Sequence, residues 1–218
     1  MSRATRTSIA DSIVATGRGD DGSTGLLFGG RVQKDDPRTE AYGTTDEAVA
    51  ALGVARAEIG ELRRAGSLPP ELDALADLLL RLQRGLFVVG AELAANPEAW
   101  EKLKDGTTRV DEAMLTGLES ELAAYEARIE MPREFVLPGE SRLSAALELA
   151  RTILRRAERR AVSLQRDGQV AGAWLVPYLN RQADLIWVLA RAAEQAEERA
   201  TTPSRGSPLV RTTKAACL

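Results

Sequence analysis

Apolar residues recur at helical spacing along five stretches of the sequence, and polar turn-forming residues separate these stretches. Asp36 followed by Pro37 is typical of a helix start, and Pro69-Pro70 marks another. The pattern predicts helices over residues 37–64, 71–95, 110–129, 141–166 and 170–199. Because the connections are short and no segment is a convincing strand, we predict an all-α fold, a five-helix antiparallel bundle with ferritin-like packing.

The segments outside these helices differ in composition. A chain of 218 residues is long enough for one domain with a substantial core. Residues 1–15 carry Arg, Ser and Thr and are predicted to be a flexible tail, and residues 16–36 are a glycine-rich loop before the first helix. Residues 200–218 are rich in Ser, Thr and Pro, which predicts a disordered C-terminal tail.

The fourth predicted helix carries five arginines in the stretch "LARTILRRAERRA". At about 100° per residue, one narrow apolar stripe is formed by Leu147, Ala150, Leu154, Ala157, Ala161 and Leu164. Arg151, Arg155 and Glu158 form a separate line beside this stripe, and Arg156 and Arg160 lie farther round toward solvent. Two interpretations stay open at this point: Glu158 pairs with Arg155 along a solvated helix, or the arginines face a polyanion.

The glycine-rich loop "TGRGDDGSTGLLFGG" raises the same choice. Backbone N–H groups with no side chains in the way can bind phosphate oxygens, and Lys34 just downstream adds a positive charge. The loop is not a P-loop, because no Gly-Lys-Ser/Thr follows and no predicted strand precedes it. Taken alone, a glycine-rich loop near a terminus is more often a flexible linker than a nucleotide site, and the arginine line on the fourth helix makes the second interpretation more specific.

Composition excludes several classes of protein. Lys and Arg number 29 against 32 Asp and Glu, so no basic field is available to bind nucleic acid. Cys217 is the one cysteine, which excludes an intrachain disulfide framework and fits a reducing, cytoplasmic setting. No apolar run approaches the length of a membrane span, so we expect no membrane association.

Three blocks of the sequence resemble the ATP:corrinoid adenosyltransferases of the propanediol-utilisation type. Their first signature is similar to "TGRGDDGSTGLLFGGRVQKDDPRTEAYGTTDEAVAALG", their second to "FVLPGESRLSAALELARTILRRAERRAV", and their third to "YLNRQADLIWVLAR". The blocks occur in the family's order and cover about residues 16–199. One block could arise by chance, whereas the three together are highly specific.

The resemblance implies a homotrimer of helical bundles with an active site between neighbouring subunits. The implied reaction moves the 5′-deoxyadenosyl group of ATP to the cobalt of Co(I) cobalamin or another corrinoid, and releases triphosphate. ATP and cobalamin are then the substrates, with Mg²⁺ beside the phosphates, and no residue is assigned as a metal ligand. Expected partners are a flavin reductase and an enzyme that uses adenosylcobalamin.

The resemblance also assigns roles to single residues. Arg151 would pair with Asp46 across the subunit boundary, Arg155 would take part in catalysis, and Phe135 would lie against the corrin face. The residues implied to bind ATP are Thr16, Gly17, Arg18, Gly19, Thr24, Lys34, Arg155, Arg156, Glu158, Arg159 and Asn180. The chain contains no histidine, which suits a reaction in which Co(I) is itself the nucleophile.

Some positions depart from the family pattern. Gly17 and Arg18 stand where the family usually has Lys and Thr, and Glu148 stands where it often has histidine. Glu148 shares a helix face with Arg151 and could pair with it. These departures leave open an alternative function, a trimeric protein that binds nucleotide or cobalamin and delivers it without turnover. On the last helix, Trp174, Tyr178 and Trp187 are predicted to be packing residues.

Overall fold

A computed structural model describes residues 13–204, and within that range the chain forms five long α-helices. Their bounds are as follows: α1 is Pro37–Arg64, α2 is Leu75–Leu93, α3 is Glu112–Glu126, α4 is Arg142–Arg166 and α5 is Leu175–Ala196. Two short 3-10 helices, Pro70–Leu72 and Pro97–Lys102, precede and follow α2. The predicted all-α class is therefore confirmed, and the limits of α1 and α4 lie within one residue of those predicted.

Three helices are shorter than predicted, each for a local reason. The start of the second predicted helix is a 3-10 turn, so α2 begins at Leu75. The Asp111 side chain accepts from the N–H of Met114 at 2.9 Å, which caps α3. The N–H of Gly172 bonds to the side chain of Glu92 and not to a helical carbonyl, so α5 begins only at Leu175. Glu198 has a positive φ of 55°, which ends that helix.

Hydrogen bonds and ion pairs between helices give their relative directions. In the pairs α1–α2, α1–α4 and α4–α5, early residues of one helix contact late residues of the other, so these neighbours are antiparallel. Between α3 and α5 the order of the contacts is the same along both helices. Arg181 pairs with Glu119, and farther along Gln195 bonds to the backbone of Glu130, so α3 and α5 are parallel neighbours.

The core consists mainly of leucine and alanine. The predicted stripe of α4 is buried along its whole length, with Leu147, Ala150, Leu154, Ala157 and Ala161 at 0% exposure. Each leucine that is fully buried contributes about 1.5–3 kcal/mol. Tyr178 of α5 is 3% exposed and packs directly over Gly85 of α2, as expected for a packing residue.

Four very short strands correct the expectation that the chain has no strand. Ser23–Gly25 (β1) pairs antiparallel with Arg31–Gln33 (β2), and Val136–Leu137 (β3) pairs with Thr202–Pro203 (β4). Strands of two or three residues are too short to show an alternating pattern in the sequence. The β4 residues belong to the segment predicted as a disordered tail. Residues 1–12 and 205–218, including Cys217, lie outside the described residues.

Across residues 13–204, no helix is both long and apolar enough to cross a membrane.

Candidate functional site

The glycine-rich loop is a hairpin closed by β1 and β2. The N–H of Lys34 bonds to the carbonyl of Gly22 at 2.8 Å, which returns the chain to the start of the loop. Gly17 and Gly22 have φ values of 69° and 83°, a region that side chains disfavour. A Cβ on Gly19 would lie 3.0 Å from Nζ of Lys34, so this ammonium lies directly over the loop backbone. The loop thus brings several predicted ATP-binding residues together.

Arg31 organises this loop from inside. Its guanidinium donates to the carbonyl of Arg18 at 2.8 Å and to the hydroxyl of Ser23 at 3.0 Å through Nε. The backbone N–H and hydroxyl of Ser23 in turn donate to Asp21, and these bonds, aided by the nearby Arg31 charge, lower the pKa of the Asp21 carboxyl. No role for Arg31 is predictable from the sequence, because its hydrogen bonds depend on how the hairpin closes.

The loop is fixed to the bundle at the end of α2. Leu27 exchanges two backbone hydrogen bonds with this region, through the carbonyl of Ala94 and the N–H of Asn96, each 2.9 Å long. The hydroxyl of Thr39 donates to the carbonyl of Lys34 at 2.6 Å. Buried Arg38 donates to the carbonyl of Leu93 at 2.7 Å, and burial lowers the pKa of its guanidinium. The hairpin therefore has a rigid base.

The arginines of α4 lie on two different sides of the helix. Arg156 pairs with Glu47 and Arg160 lies 3.5 Å from Glu40, so both contact α1. Arg151 and Arg155 lie on the other side and line a cavity of about 350 Å³. Arg156, which the family resemblance assigned to ATP, is thus engaged with α1 within the single chain.

The cavity is lined by α3, the α3–α4 connector, α4 and α5. Its charged residues are Arg151, Arg155, Arg181, Asp184 and Glu126, and its apolar residues are Leu122, Met131, Ala183, Trp187 and Val188. Arg181 pairs with Asp184 at 2.8 Å and with Glu119 at 3.2 Å, so its charge is compensated. Arg155 is exposed and forms no ion pair with a described residue, which leaves its charge available to an anion.

The remaining predicted residues of α4 and α5 contact one another. Nδ2 of Asn180 donates to Glu158 at 3.0 Å, and Arg159 donates to the carbonyl of Arg155 at 3.1 Å. The Glu158 carboxylate therefore accepts a bond from α5 and does not pair with Arg155 along the helix. These contacts join Glu158 to Asn180 across two helices and place Arg155 and Arg159 one turn apart on α4.

Asp46 and Phe135 are placed on the surface of the chain. Asp46 is exposed on α1, and Phe135 is 87% exposed in the connector before α4. The carbonyl of Phe135 accepts the N–H of Ser204 at 2.7 Å, so strand β4 holds the backbone of this segment. An aromatic ring with this exposure is a candidate contact for a large flat ligand.

Arg151 pairs with Glu148 at 2.7 Å, as the sequence analysis suggested. Behind this pair lies a second arginine, Arg191, which is 0% exposed, pairs with Glu194 and lies 3.3 Å from Glu148. The sequence analysis did not single out Arg191 or Glu194. On the last helix they resemble any other charged pair in a chain rich in charges.

Metal ligands are sparse among the described residues: no group of three or more His, Cys, Asp or Glu side chains could hold an ion there. Mg²⁺ commonly binds through one or two carboxylates, water and substrate phosphates, without a protein cage. The donor set of residues 13–204 thus fits an ion that arrives with a nucleotide.

Comparison with known proteins adds independent information. Residues 14–193 match the sequence model of the cobalamin adenosyltransferase family. The corrinoid adenosyltransferase of Mycobacterium tuberculosis is 40% identical over 182 residues, which are 83% of this chain and 88% of that protein. The corrinoid adenosyltransferase of Bacillus subtilis is 39% identical over 176 residues, 81% of this chain and 83% of that protein.

Solved structures give the same result for the fold. A variant of the PduO-type ATP:corrinoid adenosyltransferase of Lactobacillus reuteri, complexed with cobalamin and ATP, superposes with a TM-score of 0.74 at 27% identity. The match covers 88% of this chain and 99% of that one. The loop, the arginines of α4 and Asn180 of α5 all lie within residues 14–193, the range that the family model matches. The chain belongs to the cobalamin adenosyltransferase family.

Proposed function

We propose that this chain transfers the 5′-deoxyadenosyl group of ATP to the cobalt of a Co(I) corrinoid and releases triphosphate. The observation that carries the proposal is the cavity of α4, which half-buried Arg151 and exposed Arg155 line together in a chain of this family, with no ion pair from Arg155 to any residue of 13–204. A triphosphate is an anion that the Arg155 guanidinium suits, because it can donate several charge-assisted hydrogen bonds.

We infer that the site is shared between subunits of a homotrimer. Within one chain the glycine-rich loop is bonded to the end of α2, whereas the cavity is lined by α3, the connector, α4 and α5. A cyclic arrangement would let the loop of one subunit reach the cavity of the next. Asp46, exposed on α1, is then free to pair with Arg151 of the neighbouring subunit, as the family resemblance implies.

In this arrangement ATP lies between two sets of residues. Backbone N–H groups of Gly17, Arg18 and Gly19, with Thr16, Thr24 and Lys34, bind it from the loop. The second set comes from α4 and α5 and consists of Arg155, Arg156, Glu158, Arg159 and Asn180. Arg156 must leave Glu47 to join them, which costs little because that pair is exposed.

The reaction requires correct placement of C5′ and stabilisation of negative charge on the leaving group. It requires no side chain as nucleophile. The cobalt supplies an electron pair to C5′, a cobalt–carbon bond forms, and the bond from C5′ to oxygen breaks with its electrons leaving on triphosphate. The arginines and Lys34 stabilise the negative charge that grows on this leaving group, and they hold C5′ in line with the metal. Mg²⁺, bound chiefly through phosphate oxygens, would neutralise part of the same charge.

Phe135 is assigned to the corrin face. Its exposed ring offers an apolar surface and no atom that could coordinate cobalt. Removal of an axial ligand raises the reduction potential of the metal, which favours formation of Co(I) by a flavin reductase. We place this reaction in the cytoplasm, with an adenosylcobalamin-dependent enzyme as the recipient of the product.

The test is incubation of the full chain with ATP, Mg²⁺ and chemically reduced cobalamin while the absorption spectrum is followed. We expect the spectrum of adenosylcobalamin to develop over many turnovers per subunit, with one triphosphate released per product. A spectral shift that stops at one equivalent per site would contradict the proposal and identify a carrier.

A further inference from the structure

Four alternating charges run from the cavity into the core of the bundle. Nε of Arg151 donates to one oxygen of Glu148 at 2.7 Å, and the other oxygen of Glu148 lies 3.3 Å from Arg191. The far nitrogen of Arg191 donates to Glu194 at 2.7 Å. We call these four residues the charge chain. Two guanidinium and two carboxylate groups cancel in formal charge, so the chain as a whole is neutral.

Most of the charge chain is buried, and stability alone does not explain it. Arg191 and Glu194 are 0% exposed, Glu148 is 4% exposed, and only the Arg151 side chain reaches solvent. Well-packed apolar residues are often at least as stabilising as buried ion pairs. In addition, Nε and Nη1 of Arg191 and one oxygen of Glu194 have no hydrogen-bond partner among residues 13–204, although Nη1 lies in ion-pair contact with Glu148. Buried groups without a hydrogen-bond partner lower the free energy of unfolding, so the charge chain has a role other than stabilising the fold.

The role of the charge chain is to fix the position of Arg151. One oxygen of Glu148 accepts from Nε of Arg151, and the other faces Nη1 of Arg191 as an ion pair at 3.3 Å without a hydrogen bond, so the carboxylate has a charged partner at both ends. The ring of Trp187, which also lines the cavity, lies against Arg191, with the guanidinium carbon 5.5 Å from the ring centroid. Within residues 13–204, Arg151 is anchored through Nε, so its two terminal nitrogens remain for a partner at the cavity, such as the carboxylate of Asp46 in the proposed trimer.

We propose that Glu148 is a positioning residue that acts through Arg151, with Arg191 and Glu194 fixing the carboxylate in place. The proposal rests on the proposed function of the cavity. A neutral amide at this position lacks the negative charge that faces Arg191, and it keeps one acceptor oxygen beside an NH2 group that only donates. If the oxygen turns toward Arg191, the NH2 group faces Arg151 and the bond to its Nε is lost. If the oxygen stays with Arg151, the NH2 group faces the buried guanidinium of Arg191. In both cases Arg151 loses its fixed position, and a displacement of about 1 Å in a catalytic site lowers the rate by up to about a hundredfold.

The test is a double-mutant cycle of Glu148→Gln and Arg151→Ala, measured as kcat/KM for adenosyl transfer. We expect Glu148→Gln to lower kcat/KM by about tenfold or more when Arg151 is present. When Arg151 is already alanine, we expect Glu148→Gln to change kcat/KM by less than about twofold, because its effect passes through the missing arginine. Equal losses in the two backgrounds, or no loss in either, would overturn the proposal.

A second variant guards against simple loss of folding. The triple substitution Glu148→Leu, Arg191→Met and Glu194→Leu removes all three buried charges, so the core keeps no unpaired charge and the fold is retained. Arg151 loses its partner, but its side chain reaches solvent. We expect the same loss of kcat/KM with Arg151 present and none with alanine there. Glu92→Gln is the matched control, since Glu92 is a carboxylate 1% exposed that contacts neither the cavity nor the charge chain. It should leave kcat/KM unchanged.

The same cycle is measured in the dissociation constant for ATP with Mg²⁺, without corrinoid. This measurement separates the two proposals. If the unmodified chain forms no adenosylcobalamin, the proposed function fails, while the ATP cycle still decides whether Glu148 acts through Arg151. We expect a several-fold weaker affinity in the presence of Arg151 only, and equal weakening in both backgrounds would overturn the positioning role.

Discussion

The contact of Gly85 with Tyr178 gives a sharp prediction about how α2 and α5 pack. An alanine Cβ at position 85 would lie 3.0 Å from Cζ of Tyr178 and closer still to its hydroxyl oxygen, whereas ordinary contact begins at 3.4 Å. Both residues are buried, so the tyrosine ring cannot move aside without disturbing its neighbours. Overpacking of this kind costs roughly 1–3 kcal/mol, and a shift of α5 would also displace Asn180.

The free energy of unfolding of Gly85→Ala combines this cost with a gain. Replacing glycine by alanine inside a helix stabilises it by about 0.5–1 kcal/mol. Because the clash involves two packed helices, we place its cost at the upper end, which leaves a net loss of about 2 kcal/mol. For a chain of this size the loss corresponds to a melting temperature lower by about 4–8 °C. Urea denaturation followed by circular dichroism measures the loss directly.

Two further variants make this test specific. Gly90→Ala lies on the same helix, and its added Cβ meets no atom within 4 Å, so we expect a gain of about 0.5–1 kcal/mol. Adding Tyr178→Phe to Gly85→Ala removes the closest contact and should restore part of the loss. If Gly85→Ala is at least as stable as the unmodified chain, Tyr178 does not pack tightly over position 85.

Three other substitutions test separate parts of the account. Burial raises the pKa of the Glu92 carboxyl above its usual value, so its contribution to the unfolding free energy is present at low pH and is lost as pH rises through the raised pKa. The stability of the unmodified chain relative to Glu92→Gln should therefore fall with rising pH in denaturation curves, and a rise would contradict this sign. Arg155→Ala should lower kcat by roughly 10²–10³-fold, whereas Arg160→Ala, which removes an exposed pair, should change kcat little; equal effects would return Arg155 to a surface role. Phe135→Ala should slow adenosylation of cobalamin and leave the calorimetric affinity for ATP unchanged, and an equal loss of affinity would move Phe135 out of the corrin region.

Helix caps and apolar periodicity, which are local features of the sequence, are sufficient to predict much of the helical framework. The cap formed by Asp36 and the proline after it places the start of α1, and the apolar stripe of α4 is buried as predicted. These features depend on residues within a few turns of each other. The start of α5 was predicted too early, because the bond from Gly172 to Glu92 joins segments that are distant in sequence.

The residues of the candidate site could be predicted where they belong to contiguous sequence motifs of the family. The resemblance named Arg155, Glu158 and Asn180, and the fold brings them together on α4 and α5. Arg31 and Arg191 were missed, since each gains its role from partners that only the folded chain supplies. A helical wheel gives the side on which an arginine lies, but it does not give the carboxylate that will meet it.

In the proposed trimer, the loop of one subunit and the arginines of the next form one ATP site. Subunit mixing tests this shared site with Arg155→Ala and Lys34→Ala chains, each of which should form little adenosylcobalamin alone. After the two are unfolded together in equal amounts and refolded, random trimers contain intact composite sites at about a quarter of their interfaces. We therefore predict recovery of about a quarter of the unmodified activity, and a mixture that stays as inactive as its two components would contradict a shared site.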